Sequence, residues 1–268
     1  MLRWETVSGS SHTTDGVVLR ATAVGESDLV VALFTRELGR VSAIARGARS
    51  SRRRFGGALG LLVHSELALG RRTRGSELWN LERATALDDH AALGADPVVL
   101  GHASYGIELV REMTPAEVPE PAALDLLLGL WRALAPGPSP SLLRAFELAL
   151  CERLGHGLSL DGCAGCGRSD ELDAGAVFDP VRGGAVCRLC APSCRGLGVR
   201  PLAATVRDYL RRAAATSLDD ASALVVADDD RVAARDLMLA FVGHIVGKPL
   251  RSVAFVVQVH AGLTRPPT

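Results

Sequence analysis

What the chain lacks narrows the field first. Lysine occurs once in 268 residues, at Lys248, a bias read as genome composition more than function. Aromatic side chains make up only 4%. No run of eighteen apolar residues occurs, so no membrane span is expected. The opening stretch Met1-Leu2-Arg3-Trp4-Glu5-Thr6 lacks the apolar centre of a secretory signal. Together with thiols in pairs, this points to the reducing cytoplasm. There is no Gly-x-x-x-x-Gly-Lys-Ser/Thr phosphate loop, no nucleophile elbow and no carboxylate dyad. The histidines at 12, 64, 90, 102, 156, 244 and 260 are scattered, none at motif spacing from a nucleophile, and read as structural. The expectation is a protein that is not an enzyme.

What is present begins with Cys163-Ala-Gly-Cys166 and Cys187-Arg-Leu-Cys190, two C-x-x-C pairs with twenty residues between them. Each pair turns two thiolates to one side of a tight knuckle, and two knuckles supply the four sulfurs that tetrahedral Zn²⁺ takes. Four thiolates leave no open coordination position, so the expected Zn²⁺ is structural. Glycines 165, 167, 183 and 184 suit the turns, and Ala176 to Val186 reads as a short hairpin between the knuckles. A pair of redox dithiols, or merely buried cysteines, is the alternative. Cys194 reads as a substitute ligand or a spare thiol, and Cys151 as a small buried apolar residue. Zinc deaminases carry H-x-E followed by P-C-x-x-C; here His64-Ser65-Glu66 lies about a hundred residues before Cys163, and Gly162 stands where that motif needs proline.

Net charge is zero over the whole chain, but it is unevenly spread. From Arg36 to Arg74 ten arginines (Arg36, Arg40, Arg46, Arg49, Arg52, Arg53, Arg54, Arg71, Arg72, Arg74) face two acids, a net +8. From Ala91 to Gly162 four arginines face nine acids, a net −5. A basic stretch of this kind is an electrostatic footprint for polyanions. Its bland reading is a solvated surface loop. Phe34, Phe55 and Trp79 are the aromatics between residues 12 and 88: Phe34 reads as core, and the other two are left open between core and surface. Binding would therefore lean on phosphates and be sensitive to salt.

Organisation follows from periodicity. Five short strands with glycine turns in about 75 residues suggest a small closed barrel, of which the OB-fold is the five-stranded form. Arg40-Val41-Ser42-Ala43-Ile44-Ala45-Arg46 alternates with period two, placing Val41, Ala43 and Ala45 on one face. The arginine-rich stretch 47–57 is expected as a loop between the third strand and a fourth at Leu61 to Leu69, with the fifth at Glu77 to Arg83. Helices are expected from Pro97 to Glu112 with Asp96 as cap, Ala122 to Ala135, Ser141 to Leu154, Pro201 to Ala215, and Asp230 to Val246 with Asp230 as cap. Asp228-Asp229-Asp230 is the one tight group of acids, and reads as a capping loop rather than a nuclease metal site. The fold class is α+β: an OB-like barrel over residues 1–88, then a helical domain over 89–268 carrying a four-cysteine zinc module at about 159–195.

The segments Asp15-Gly16-Val17-Val18-Leu19, Gly25-Glu26-Ser27-Asp28, Leu33 to Val41, Ala45-Arg46-Gly47-Ala48-Arg49 and Gly56-Gly57-Ala58-Leu59 resemble the bacterial DNA repair and recombination mediator family RecO, as does Gly247-Lys248-Pro249-Leu250-Arg251-Ser252. The four cysteines match its zinc-binding members. The resemblance covers residues 12 to about 258. It implies a non-enzymatic, cytoplasmic, nucleoid-associated protein that binds single- and double-stranded DNA and anneals complementary strands. It implies RecR, RecF and single-strand-binding protein as partners in loading recombinase. Lys248 and Arg251 are the residues matched to capture of the acidic tail of single-strand-binding protein, on an apolar face of Val232, Leu237, Leu239, Phe241 and Ile245. The rival reading is a zinc-bearing adaptor that binds only protein.

Overall fold

The computed structural model describes residues 11–71, 77–170, 172, 175–196 and 198–255. Arg72 and Arg74 lie outside the described residues. The chain divides into two compact units, Met1–Ala95 with Thr114–Leu128 and Asp96–Met113 with Gly129–Thr268.

The first unit is built on β1 (Ser11–Val24), β2 (Asp28–Thr35), β3 (Gly39–Ala45), the single turn α1 (Arg52–Phe55), β4 (Val63–Arg71) and β5 (Trp79–Asp89). The strands close into a barrel in the order β1-β2-β3-β5-β4. β1 pairs antiparallel with β4, and a short parallel ladder, Ala43 to Trp79 and Ile44 to Asn80, joins β3 to β5. This is the five-stranded OB arrangement expected from the sequence. The period of two in β3 is kept: Val41, Ala43 and Ala45 are buried and Ser42 is exposed. Val31, Leu33, Leu67, Leu69 and Leu81 fill the barrel, joined by Phe55 and Trp79.

Several sequence boundaries shift, for physical reasons. β4 begins at Val63 rather than Leu61, because Leu62 adopts a left-handed backbone (φ 65°) and breaks the extended run. β5 continues to Asp89, six residues past the expected end, because it keeps pairing with β4 as far as Val63. The expected arginine loop contains the helical turn α1, which buries Phe55 while Arg52, Arg53 and Arg54 stay exposed.

Residues 114–128 belong with the barrel. Arg40 Nε donates to the Thr114 carbonyl at 3.2 Å, and the Glu117 amide donates to the Arg40 carbonyl at 3.0 Å. Gly39 makes this approach possible: its φ is +65°, and a Cβ there would collide with the Val118 carbonyl oxygen.

The second unit contains α2 (Pro97–Met113), part of α3 (Pro121–Ala133), α4 (Pro140–Arg153), a small sheet of β6 (Val177–Asp179), β7 (Gly184–Val186) and β8 (Arg200–Pro201), then α5 (Ala204–Ala215), α6 (Leu218–Ala221) and α7 (Asp228–Val246). Asp96 caps α2 as expected, its Oδ1 accepting the Val98 amide at 2.7 Å. α4 is the central helix, buried nearly all the way round and packed on α2, α5, α6 and α7. It carries a buried ion pair, Arg144 Nη2 to Glu147 Oε1 at 2.7 Å, and the Tyr105 hydroxyl also donates to Glu147 Oε1. The cap expected at Asp230 is not formed. α7 starts at Asp228 after Ala227, without a side-chain cap, and Asp230 instead accepts the Thr205 hydroxyl at 2.9 Å. Three aspartates in the first turn are stabilised by the positive end of the helix dipole, so the helix extends through the group read as a loop.

Candidate nucleic-acid interface and metal centre

The arginines of the first unit fall into two sets. Arg36 and Arg40 are committed to local structure. Arg36 Nε donates to Asp15 at 2.9 Å and Arg36 Nη2 to Asp125 at 2.8 Å, while His64 Nε2 lies 2.8 Å from the other Asp15 oxygen. Burial pushes the Asp15 carboxyl up, but the hydrogen bonds from Arg36 and His64 outweigh it and hold the group below the usual range. Hydrogen bonds to Asp125 and then Asp15 raise the Arg36 guanidinium in turn.

Arg46, Arg49, Arg52, Arg53 and Arg54 form the second set. All five are exposed. Among the described residues none has a carboxylate at ion-pair distance. The chain leaves β3 at Ala45 and turns at Gly47, whose carbonyl accepts the amides of Ser50 and Ser51 at 3.2 and 2.9 Å. The Arg49 amide donates to the Ser27 carbonyl at 3.0 Å, and Arg54 Nη2 donates to the Arg46 carbonyl at 2.6 Å. Phe55, buried beneath, anchors the far end. The loop is therefore a wall of exposed guanidinium groups on a hydrogen-bonded backbone, with the Asp28 carboxylate near Arg46 and Arg54 but outside ion-pair distance. Phe34, Phe55 and Trp79 are all buried, so none offers an open ring for a base. Arg71 ends β4.

In the second unit the four cysteines converge. Cys163, Cys166, Cys187 and Cys190 place their sulfur atoms all within 4.8 Å of one another. A tetrahedron of thiolates on Zn²⁺ has sulfur–sulfur edges of about 3.8 Å, and Cys166 Sγ lies 3.9 Å from Cys187 Sγ. The β6–β7 hairpin joins the knuckles as expected, with Phe178, Ala185 and Val186 fully buried. Burial works against a thiolate at Cys163, but the amides of Cys187 and Gly165, at 3.2 and 3.3 Å from its sulfur, bring it down to about 6. Hydrogen bonds shared with Cys187 and Cys166 push Cys190 up to about 12. Four sulfurs this close cannot all ionise without a cation among them, so the group is positioned to hold a metal ion. Cys194 is outside the set, and Cys151 is buried in α4.

Lys248 Nζ pairs with Glu112 at 2.7 Å, and the backbone of Arg251 donates to Glu108 at 3.0 Å, leaving its side chain exposed. The apolar residues expected to share one face with them separate: Leu237 and Phe241 enter the core, while Val232 and Leu239 line a cavity of about 400 Å³. Leu143 and Val253 also line it, and its cations are Arg144, Arg231 and Arg235. Sequence reasoning passed over these arginines. Arg231 and Arg235 are one helical turn apart, but Arg144 joins them only through the packing of α4 on α7.

The first unit combines an OB-type barrel with an exposed arginine loop, an arrangement that nucleic-acid-binding proteins use. The family comparisons agree. Residues 10–89 match the family model "Recombination protein O N terminal" and residues 94–254 match "Recombination protein O C terminal". The chain is 40% identical over 248 residues to the DNA repair protein RecO of Anaeromyxobacter sp. (strain Fw109-5), covering 91% of this chain and 94% of that one. It is 41% identical over 249 residues to the corresponding protein of Anaeromyxobacter dehalogenans (strain 2CP-C), with 91% and 95% covered. To that of Myxococcus xanthus (strain DK1622) it is 34% identical over 246 residues, with 91% and 96% covered. The chain belongs to the RecO family, and its role lies in DNA repair and recombination. No helix among the described residues is long and apolar enough to cross a membrane.

The Asp15–Arg36 pair makes a pH prediction. Because the folded carboxyl sits below its ordinary value of 3.8, its contribution is present above that value and is lost as pH falls through the folded one. Denaturant titrations between pH 5 and 2 are expected to show stability falling less steeply in Asp15→Asn than in the unmodified protein. Parallel curves would place the acid sensitivity elsewhere.

Proposed function

We propose that this chain is a non-enzymatic mediator that binds single- and double-stranded DNA through the arginine wall and lowers the repulsion between phosphate backbones so that complementary strands anneal. With RecR, RecF and single-strand-binding protein it helps load recombinase onto coated strands. The observation that carries this reading is the set of five exposed arginines, Arg46, Arg49, Arg52, Arg53 and Arg54, none of them in ion-pair contact with a carboxylate among the described residues. Guanidinium groups bind phosphate through a planar fork, and multiple phosphate contacts release counterions. The buried aromatics favour backbone contact over base stacking. Arg71, Arg72 and Arg74 extend the same basic segment in sequence.

If about four phosphates are neutralised, log K for a single-stranded oligonucleotide is expected to fall with log salt at a slope of about −3. Arg52→Ala/Arg53→Ala/Arg54→Ala flattens that slope. An unchanged slope removes the loop from the interface and favours a protein-only adaptor.

The four-cysteine centre holds one structural Zn²⁺ on Cys163, Cys166, Cys187 and Cys190. The metal links the hairpin of β6 and β7 to the rest of its module and takes no part in a reaction, because four protein ligands saturate it. Metal analysis is expected to give one zinc per chain, and a chelator to lower the melting temperature. A metal-free protein of unchanged stability contradicts this.

The cavity between α2, α4 and α7 suits the acidic, hydrophobic-ended tail of single-strand-binding protein: apolar walls for the terminal side chain, and Arg231 and Arg235, which would exchange their exposed partners Asp228 and Asp236 for its carboxylates. Lys248 and Arg251 extend the positive surface of this unit in the same reading. Arg231→Glu/Arg235→Glu is expected to weaken binding of a tail peptide at least tenfold while leaving strand binding in place. Undiminished peptide binding there, with loss in Lys248→Glu/Arg251→Glu, moves the tail to the α7 C-terminus.

A further inference from the structure

Asp28 is an acid placed against the arginine wall. It opens β2 at the end of the β1–β2 turn. In the β2–β3 register Leu29 faces Ala45, so Asp28 stands opposite the point where the chain leaves β3 for the arginine loop. Its Oδ1 accepts the Gly47 amide at 2.8 Å and the Ser27 hydroxyl at 3.2 Å. Gly47 is itself constrained: its φ is +63°, and a Cβ there would press on Arg54 Nη2 at 3.0 Å. The neighbouring turn residues add two further ties, the Ser27 carbonyl to the Arg49 amide and the Glu26 carbonyl to Arg49 Nη1, both at 3.0 Å. On charge alone an acid beside a phosphate-binding wall opposes the function, because it lowers the positive potential that attracts the strand. What it contributes is an acceptor oxygen for the backbone amide at the first turn of the loop.

We propose that Asp28 is a positioning residue for DNA binding: it holds the Gly47 amide and so fixes the loop that presents Arg46, Arg49, Arg52, Arg53 and Arg54 as a preformed surface. The inference rests on the reading of that wall as the DNA contact. A preformed loop loses less ordering entropy when phosphates arrive, and it keeps the five side chains able to engage one backbone at once.

Two substitutions separate position from charge. Asp28→Asn keeps an oxygen acceptor for Gly47 and removes the charge. Asp28→Glu keeps the charge and moves the carboxylate by one methylene. Binding of single-stranded oligothymidylate to the full chain, across a salt series, is expected to weaken about tenfold in Asp28→Glu with a slope flatter by about 1 to 2, and to stay equal or tighten in Asp28→Asn. Hydrogen exchange at the Gly47 amide is expected to be slow in the unmodified protein and in Asp28→Asn, and fast in Asp28→Glu. If Asp28→Glu melts early, Asp28→Ala takes its place with the same expectation. Full binding in the Glu variant, or equal loss in the Asn variant, overturns the proposal. If the Arg52/Arg53/Arg54 alanine variant binds DNA undiminished, it is the reading of the wall that fails, and Gly47 exchange still decides whether Asp28 holds the loop.

Discussion

Five guanidinium groups lie within the nine residues from Arg46 to Arg54, and like charges repel: a pair at about 7 Å costs about 0.6 kcal/mol even in water. A free chain would spread such groups apart. Here the backbone prevents it. One end of the loop continues from β3, inside a closed barrel, and is tied by Gly47 and Arg49 to the β1–β2 turn. The other end is held by Phe55, which is buried in the barrel. Hydrophobic burial and backbone hydrogen bonds thus oppose electrostatic repulsion and maintain a dense positive surface. Binding of a polyanion would relieve that repulsion.

The same unit ties other arginines of the segment into its own structure and neutralises Arg36. Arg36 lies between Asp15 and Asp125, and Arg40 binds the Thr114 carbonyl. A net charge of +8 read along the sequence therefore overstates the free positive charge. The acids that reduce it come from β1, ahead of the basic segment, and from α3, far behind it. In the hairpin module of the second unit, a cluster of soft ligands supplements a small local core. The short strands β6 and β7 have three residues each, too few to be stable alone. The convergence of four sulfurs beside them supplies the missing constraint once a cation is present.

Much of this was legible in the residues. Period two in β3, glycine-separated strands and the paired C-x-x-C spacing each express a local rule, and each is found in the structure. The family resemblance rested on segments that matched models over both parts of the chain. What was not legible depends on contacts between distant segments. Asp125 meets Arg36 across 89 residues. Phe55 enters the core although arginines precede it. Asp230 looks like a cap, yet α7 begins two residues before it and its carboxylate serves Thr205. Arg144 reads as an ordinary helix residue until the packing of α4 on α7 brings it to the cavity with Arg231 and Arg235. Local periodicity gives elements and spacing gives ligands, but pairing of charges requires the fold.

The central claim is that the arginine wall reads backbone charge rather than bases. It is tested most directly by comparing one sequence on two backbones: single-stranded DNA, and an analogue with uncharged linkages between the same bases. The account predicts salt-sensitive binding to the DNA and affinity at least about a hundredfold weaker for the neutral analogue. Equal affinity for both, insensitive to salt, would contradict it and assign recognition to the bases.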